Sequence, residues 1–258
     1  MLADESLQAY EDNDETGLFV SVSIDVAAKY TLSRAETRMI ADKLRAFVQS
    51  ILTPRRHMQT TFAPFYTENR WGDSESRSGP GSNLARTGKL RNELPVLLQE
   101  IGARSILDAP CGDFNWMKDV SLGVEHYVGV DIIPELISQN CNLYGNDRIQ
   151  FMLLDLTRDE LPRADVILCR DCFIHFSYRH IASAIKNFKR SGSTYLLTNT
   201  YSAWRQNENI RTGDFRHLNL LLPPFNFPPP LKQIDEKFPE EQAQFFGKTL
   251  GLWRLADL

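Results

Sequence analysis

Four short apolar runs in the middle of the chain each stop at a carboxylate. Ile106 and Leu107 lead into Asp108, and Tyr127, Val128, Gly129 and Val130 lead into Asp131. Phe151, Met152, Leu153 and Leu154 lead into Asp155, and Val166, Ile167, Leu168 and Cys169 lead into Arg170 and Asp171. Helix-compatible stretches separate the runs. Short buried strands alternating with helical segments specify an α/β fold built on a parallel sheet. Parallel strands bring their carboxyl ends to one edge, so the four acids should converge there.

The turn after the first run reads SILDAPCGDFNW from Ser105 to Trp116. A buried strand, a carboxylate and a tight turn of small residues is how doubly wound proteins hold a nucleotide-like ligand. The turn resembles the first motif of class I S-adenosylmethionine-dependent methyltransferases, which runs acid, any, Gly, any, Gly, any, Gly. Here only the middle glycine, Gly112, is kept, with Pro110 and Phe114 in the flanking places. The strings WG, SGPGS, LDAPCGDFNWM, CRDCFIHFS, PPFNFP and a near-terminal LGLW resemble a bacterial-type subfamily of that family, associated with polysaccharide and small-metabolite gene neighbourhoods. The likeness covers roughly the last three quarters of the chain, from Trp71 onward.

That resemblance implies a Rossmann-like seven-stranded methyltransferase sheet with helices on both faces and a reversed last strand. It also implies S-adenosyl-L-methionine as cofactor. Asp131 would accept from the ribose hydroxyls, Asp155 from the adenine amino group, and Asp108 would lie near the methionine ammonium. Ala109, Pro110, Cys111 and Gly112 would cradle the ligand, with Ile132, Leu156, Arg170 and Trp71 completing its shell. Converging carboxylates suit a sulfonium cation and would repel a pyrophosphate. A dinucleotide oxidoreductase also wants Gly-x-Gly-x-x-Gly, and this turn has a single glycine.

Chemistry is expected where the fourth run ends. Methyl transfer is an in-line displacement, so the main task is to hold the nucleophile on the carbon–sulfur axis, an orientation worth roughly 7 to 11 kcal/mol. A hydroxyl acceptor must also lose a proton, and His175 is the candidate base, worth about 10² to 10⁴-fold in rate. Asp171 is read as its orienting partner or as an acceptor-binding carboxylate, since four residues' separation puts both on one face of a helix. The acceptor implied is a small molecule or a carbohydrate. N-methylation of a small molecule, or a catalytically silent binding protein, are the alternatives.

The remaining sequence sets boundaries. A net charge of −4 argues against a broad nucleic-acid-binding surface. No secretory signal or apolar stretch of spanning length occurs, so no membrane partner and a cytoplasmic location are expected. The four cysteines, 111, 141, 169 and 172, read as free thiols, three of them at strand ends facing the cofactor. Cys169, Cys172 and His175 form a Cys-x-x-Cys-x-x-His string, but without a second knuckle no metal site is expected.

Two domains are expected, an N-terminal extension over 1–58 and a methyltransferase domain over 59–258. The extension starts with six acids and no base over 4–15, then an alternating run at Val20, Val22, Ile24 and Val26. Ser33 and Glu36 then form a capping box opening a helix that Thr53-Pro54 closes. The Gly/Ser/Pro-rich stretch 65–87 is a linker or a lid over the cofactor. A helix from Tyr178 to Lys189 and a fifth strand from Thr194 to Asn199 follow. The long segment 200–230 mixes aromatic and hydrogen-bonding residues, its arginines suited to anionic oxygens, and it should overhang the acceptor pocket. A hairpin, 231–236 and 248–255, ends the chain.

Overall fold

The computed structural model describes residues 55–236 and 247–258. The acidic start, the alternating run at 20–26 and the helix opened by Ser33 lie outside the described residues.

The first described element is a helix, α1, Arg55–Thr67. It occupies part of the stretch read as linker or lid, and the expected boundary at 58/59 falls inside it. Met58 and Phe62, one helical turn apart, pack into the same core as the sheet. Helix α2, Leu84–Glu100, is capped by Asn83, whose side chain accepts from the Arg86 N–H at 2.9 Å. Its residues Leu90, Leu94, Leu97 and Leu98 recur at helical spacing and are buried.

Seven strands follow: β1 Ser105–Asp108, β2 His126–Asp131, β3 Ile149–Leu153, β4 Val166–Cys169, β5 Tyr195–Tyr201, β6 Lys232–Asp235 and β7 Lys248–Arg254. Their order across the sheet is β3-β2-β1-β4-β5-β7-β6. β1 to β5 pair in parallel, while β7 runs antiparallel to both β5 and β6. β5 continues to Tyr201, past the expected end at Asn199, because its register with β7 extends to Tyr201 opposite Lys248.

Alternate residues along each strand point to opposite faces, which builds two cores. Leu107, Ile167 and Leu196 join one, with Ile181, Ala184 and Phe188 of helix α4, Tyr178–Arg190. Ile106, Val166 and Leu168 join the other, with the α2 leucines and with Leu136 and Ile137 of α3, Pro134–Tyr144. Each such leucine or isoleucine stabilises the fold by roughly 1.5 to 3 kcal/mol on burial. Helices thus cover both faces, leaving the carboxyl edge open. The strand order reverses between β1 and β4, and that is where doubly wound sheets bind ligands.

Candidate active site

At the reversal point lies a cavity of about 340 Å³, lined by the residues that follow β1, β2, β3 and β4. Asp108, Asp131 and Asp155 all face it, as do Pro110, Cys111, Gly112, Ile132, Leu156, Arg170, Asp171, His175 and Trp71. Ala109 does not. Its N–H donates to the Leu168 carbonyl at 2.8 Å, continuing the ladder between β1 and β4, and the residue is fully buried in the core.

Each carboxylate is held differently. Asp131 accepts from the N–H groups of Ile132 at 2.7 Å and Ile133 at 3.2 Å, and from Gly112 at 3.2 Å. Burial nevertheless pushes its pKa up to about 6, against those backbone bonds. Asp108 accepts from the Tyr127 hydroxyl at 2.6 Å, and burial, only partly offset by that bond and by Arg170, pushes it up to about 7. Asp155 spends Oδ1 on the Thr157 N–H and hydroxyl, at 2.9 and 2.6 Å. Its Oδ2 is buried and has no hydrogen-bond partner.

The glycine-poor turn is workable because of its neighbours. Gly112 takes φ +57°, and a Cβ there would run into the Ser78 side chain. Phe114 takes φ +59°, a conformation that bulky residues rarely adopt. Rings of Tyr127, Tyr144 and Phe151, all within 5.2 Å of its centroid, hold it there. Aromatic packing thus does what a third glycine's freedom would otherwise do.

The stretch 71–83 lines one side of the cavity. The Asp113 carboxylate accepts from the Ser76 hydroxyl, the Arg77 N–H and the Ser78 hydroxyl, and Ser78 Oγ accepts from the Asp113 N–H at 2.8 Å. Arg77 donates to the carbonyls of Tyr66 and Thr67 at the end of α1. Trp71, Arg77, Ser78, Gly79, Pro80, Gly81 and Ser82 all line the cavity. Of the two readings of this stretch, a passive linker does not describe it.

Arg170 and Asp171, both expected at the site, belong to an ion cluster whose other members, Glu236 and Lys248, sequence reasoning missed. Arg170 donates to Glu236 at 2.6 Å and lies 3.1 Å from Asp171, while Lys248 lies 2.7 Å from Asp171 and 3.3 Å from Glu236. Burial works to raise the Asp171 pKa, but Arg170 and Lys248 prevail and hold it at about 2. The signal lay in the reversed strand: β7 runs antiparallel, so its first residue, Lys248, lies at the edge where the parallel strands end, opposite Tyr201 of β5. Glu236 reaches the same edge as the residue just past β6, which runs in the same direction as β5.

Two expectations about residues 171–175 change. The segment is a single 3-10 turn, Phe173–His175, preceded by Asp171 at φ +51°, so no α-helical face joins Asp171 to His175. The imidazole's hydrogen-bond partner is the Asp214 carbonyl, 3.0 Å from Nδ1, while Asp171 is occupied by Lys248 and Arg170. Burial lowers the His175 pKa below 6.5, with Asp171 pulling the other way. Of the long segment's residues, Tyr201 and Phe215 line the cavity, whereas Trp204, Arg205, Asn207, Arg211, Asp214, Arg216, His217 and Asn219 do not. Asn207 and Asn219 instead staple the segment to its own carbonyls, and Phe227 of the proline-rich stretch packs on Trp253. Cys111 and Cys172 reach the cavity, but Cys169 sits within β4 and does not. Among the described residues no group of three or more metal-ligating side chains occurs, and no helix is long and apolar enough to cross a membrane.

No protein-family model matches the chain, and no curated protein does. Solved structures do. Magnesium protoporphyrin IX methyltransferase from Synechocystis PCC 6803, crystallised with bound SAH, aligns with 76% of this chain and 98% of its own at 12% identity and a TM-score of 0.52. The same enzyme with bound SAM aligns with 76% of this chain and 96% of its own at 15% identity and a TM-score of 0.51. The chain carries the Rossmann-like methyltransferase fold. Within that methyltransferase fold the cavity described above lies at the reversal point of the sheet, walled by four strand ends. A looser match is the N-methyltransferase NodS from Bradyrhizobium japonicum WM9, at 14% identity over 67% of this chain and 98% of its own, with a TM-score of 0.49.

Proposed function

We propose that the chain is an S-adenosylmethionine-dependent methyltransferase that O-methylates a small molecule or a carbohydrate precursor. The observation that carries this reading is the gathering of Asp108, Asp131 and Asp155 around one cavity at the sheet's reversal point. The residues present fit the cofactor. Asp155 offers a buried, unpartnered oxygen for an amino group, which is costly to leave unpaired in the fold. Asp131, steadied by three backbone N–H groups, suits vicinal hydroxyls. Asp108 suits an ammonium, and the cavity's volume falls in the range of about 300 to 1,000 Å³ usual for small-molecule sites. When bound, S-adenosylmethionine supplies an electrophilic methyl group carried on a sulfonium.

The chain's own residues supply the rest. A carbonyl oxygen can only accept, so the contact with Asp214 fixes the His175 proton on Nδ1 and leaves the Nε2 lone pair free. Burial keeps the ring neutral at physiological pH. Nε2 therefore takes the proton of an acceptor hydroxyl as its oxygen gains the methyl group. This free base suits an acceptor hydroxyl better than an amine, which needs no strong base. The 71–83 segment lines the cavity, and keeping water from the bound cofactor would strengthen the carboxylates' hold on a cation. Titration calorimetry with S-adenosylmethionine and with NAD tests the cofactor assignment: heat with the first alone is expected, and none with it overturns the proposal. Labelled cofactor and a panel of sugar nucleotides, phosphorylated sugars and small amines then identify the acceptor.

A further inference from the structure

Arg216 lies in the long connection between β5 and β6, yet it is only 3% exposed. Its Nη1 donates to the carbonyls of Phe173 at 3.1 Å and Ile174 at 3.3 Å, and its own N–H donates to Ile174 at 3.1 Å. The guanidinium lies over the Tyr178 ring, 5.4 Å from its centroid. These carbonyls belong to the 3-10 turn that ends in His175, a turn too short to satisfy them all itself.

The same connection also grips that turn just ahead of Arg216. Gly213 donates its N–H to the His175 carbonyl at 2.9 Å, and Thr212 accepts from the Ser177 N–H at 3.0 Å. Between Gly213 and Arg216 the Asp214 carbonyl meets His175 Nδ1. The rings of Trp71 and Phe215 stand 6.0 and 5.8 Å from the imidazole and fix no proton position.

We propose that Arg216 is a positioning residue for His175: its forked bonds lock residues 212–216 onto the turn, so that the Asp214 carbonyl holds the imidazole as the Nδ1–H tautomer with Nε2 bare. The proposal rests on the reading of His175 as the proton acceptor. Nη1 alone donates both carbonyl bonds while the flat guanidinium lies over the Tyr178 ring, a face-on fit that a tetrahedral ammonium does not reproduce.

Imidazole ¹⁵N shifts in the protein without acceptor report the tautomer directly, whether or not any acceptor is known. The native protein should show Nδ1–H at His175. Arg216→Met should mix the tautomers, with kcat falling by roughly 10²-fold, KM and S-adenosylmethionine affinity unchanged, and far-UV circular dichroism intact. Arg216→Lys, which keeps the charge and one bond, should restore part of both the tautomer and kcat. Arg211→Ala, an exposed change on the same connection, should alter neither. Native tautomer and native kcat in a folded Arg216→Met protein would overturn the proposal. If that variant does not fold, native tautomer and kcat in Arg216→Lys would do so. Failure of the native protein to bind S-adenosylmethionine would instead sink the function proposed above, and the ¹⁵N comparison would still decide the role of Arg216.

Discussion

Replacing Asp108 by Asn should make the ligand-free protein more stable and its cofactor binding worse. In the unfolded chain this carboxyl ionises near 3.8, whereas burial in the fold holds its proton up to about 7. For an acid whose folded pKa is raised, stability is whole below the unfolded value and is lost as pH rises towards the folded one. The loss is about 1.36 kcal/mol per pH unit, so the wild type forfeits about 4 kcal/mol by pH 7 and no more above it. An amide in this place has no proton to lose, and its oxygen would still accept from the Tyr127 hydroxyl. The stability gap between variant and wild type should therefore be near zero at pH 4, grow through pH 5 and 6, and level off above pH 7. At about 2 to 4 °C per kcal/mol for a domain this size, melting should differ by roughly 8 to 16 °C at pH 8. Thermal melts at several pH values, with and without S-adenosylmethionine, measure both effects. Saturating cofactor should raise the wild-type Tm more than the variant's. A gap that does not vary with pH, or a variant less stable at pH 8, would refute the account of Asp108 as a carboxyl held in readiness for a cation.

Asp131→Ala removes the acceptor shared by Gly112, Ile132 and Ile133 and should weaken cofactor binding by about 1.5 to 3 kcal/mol, read by calorimetry; an unchanged Kd would contradict the assignment. His175→Ala should cut kcat by roughly 10² to 10⁴-fold with cofactor affinity kept, and near-normal turnover would reject it as the base. In the wild type, kcat/KM should rise with pH through a value below 6.5 and then level off, because burial lowers the His175 pKa. Phe114→Ala should cost about 3 to 5 kcal/mol in denaturant unfolding, since three rings lose their partner. Gly112→Ala should force the lid away through Ser78 and speed cofactor dissociation in stopped flow; adding Ser78→Gly should recover part of the loss, and no recovery would place the damage in the backbone alone.

The strand ends were legible because they depend only on local pattern. An apolar run stopping at Asp108, Asp131 or Asp155 states both that a strand is buried and where it surfaces, and parallel pairing does the rest. The helix Tyr178–Arg190 and the closing hairpin were readable for similar reasons, from spacing and turn residues. Helix α1 was not, because the stretch from Phe65 on read as linker or lid; what stabilises the helix is the burial of Met58 and Phe62 against a sheet distant in sequence. Phe114 in a glycine's place was equally opaque, since the three rings that hold it come from β2, α3 and β3. The pairing of His175 with Asp214 spans 39 residues, and that of Arg170 with Glu236 spans 66. Short apolar runs separated by helical segments thus determined the parallel sheet and the edge at which its acids emerge, because parallel strands all end on one side. Only the folded chain decided which partner each acid, histidine and arginine takes, because those choices are made by segments that meet after the sheet has formed.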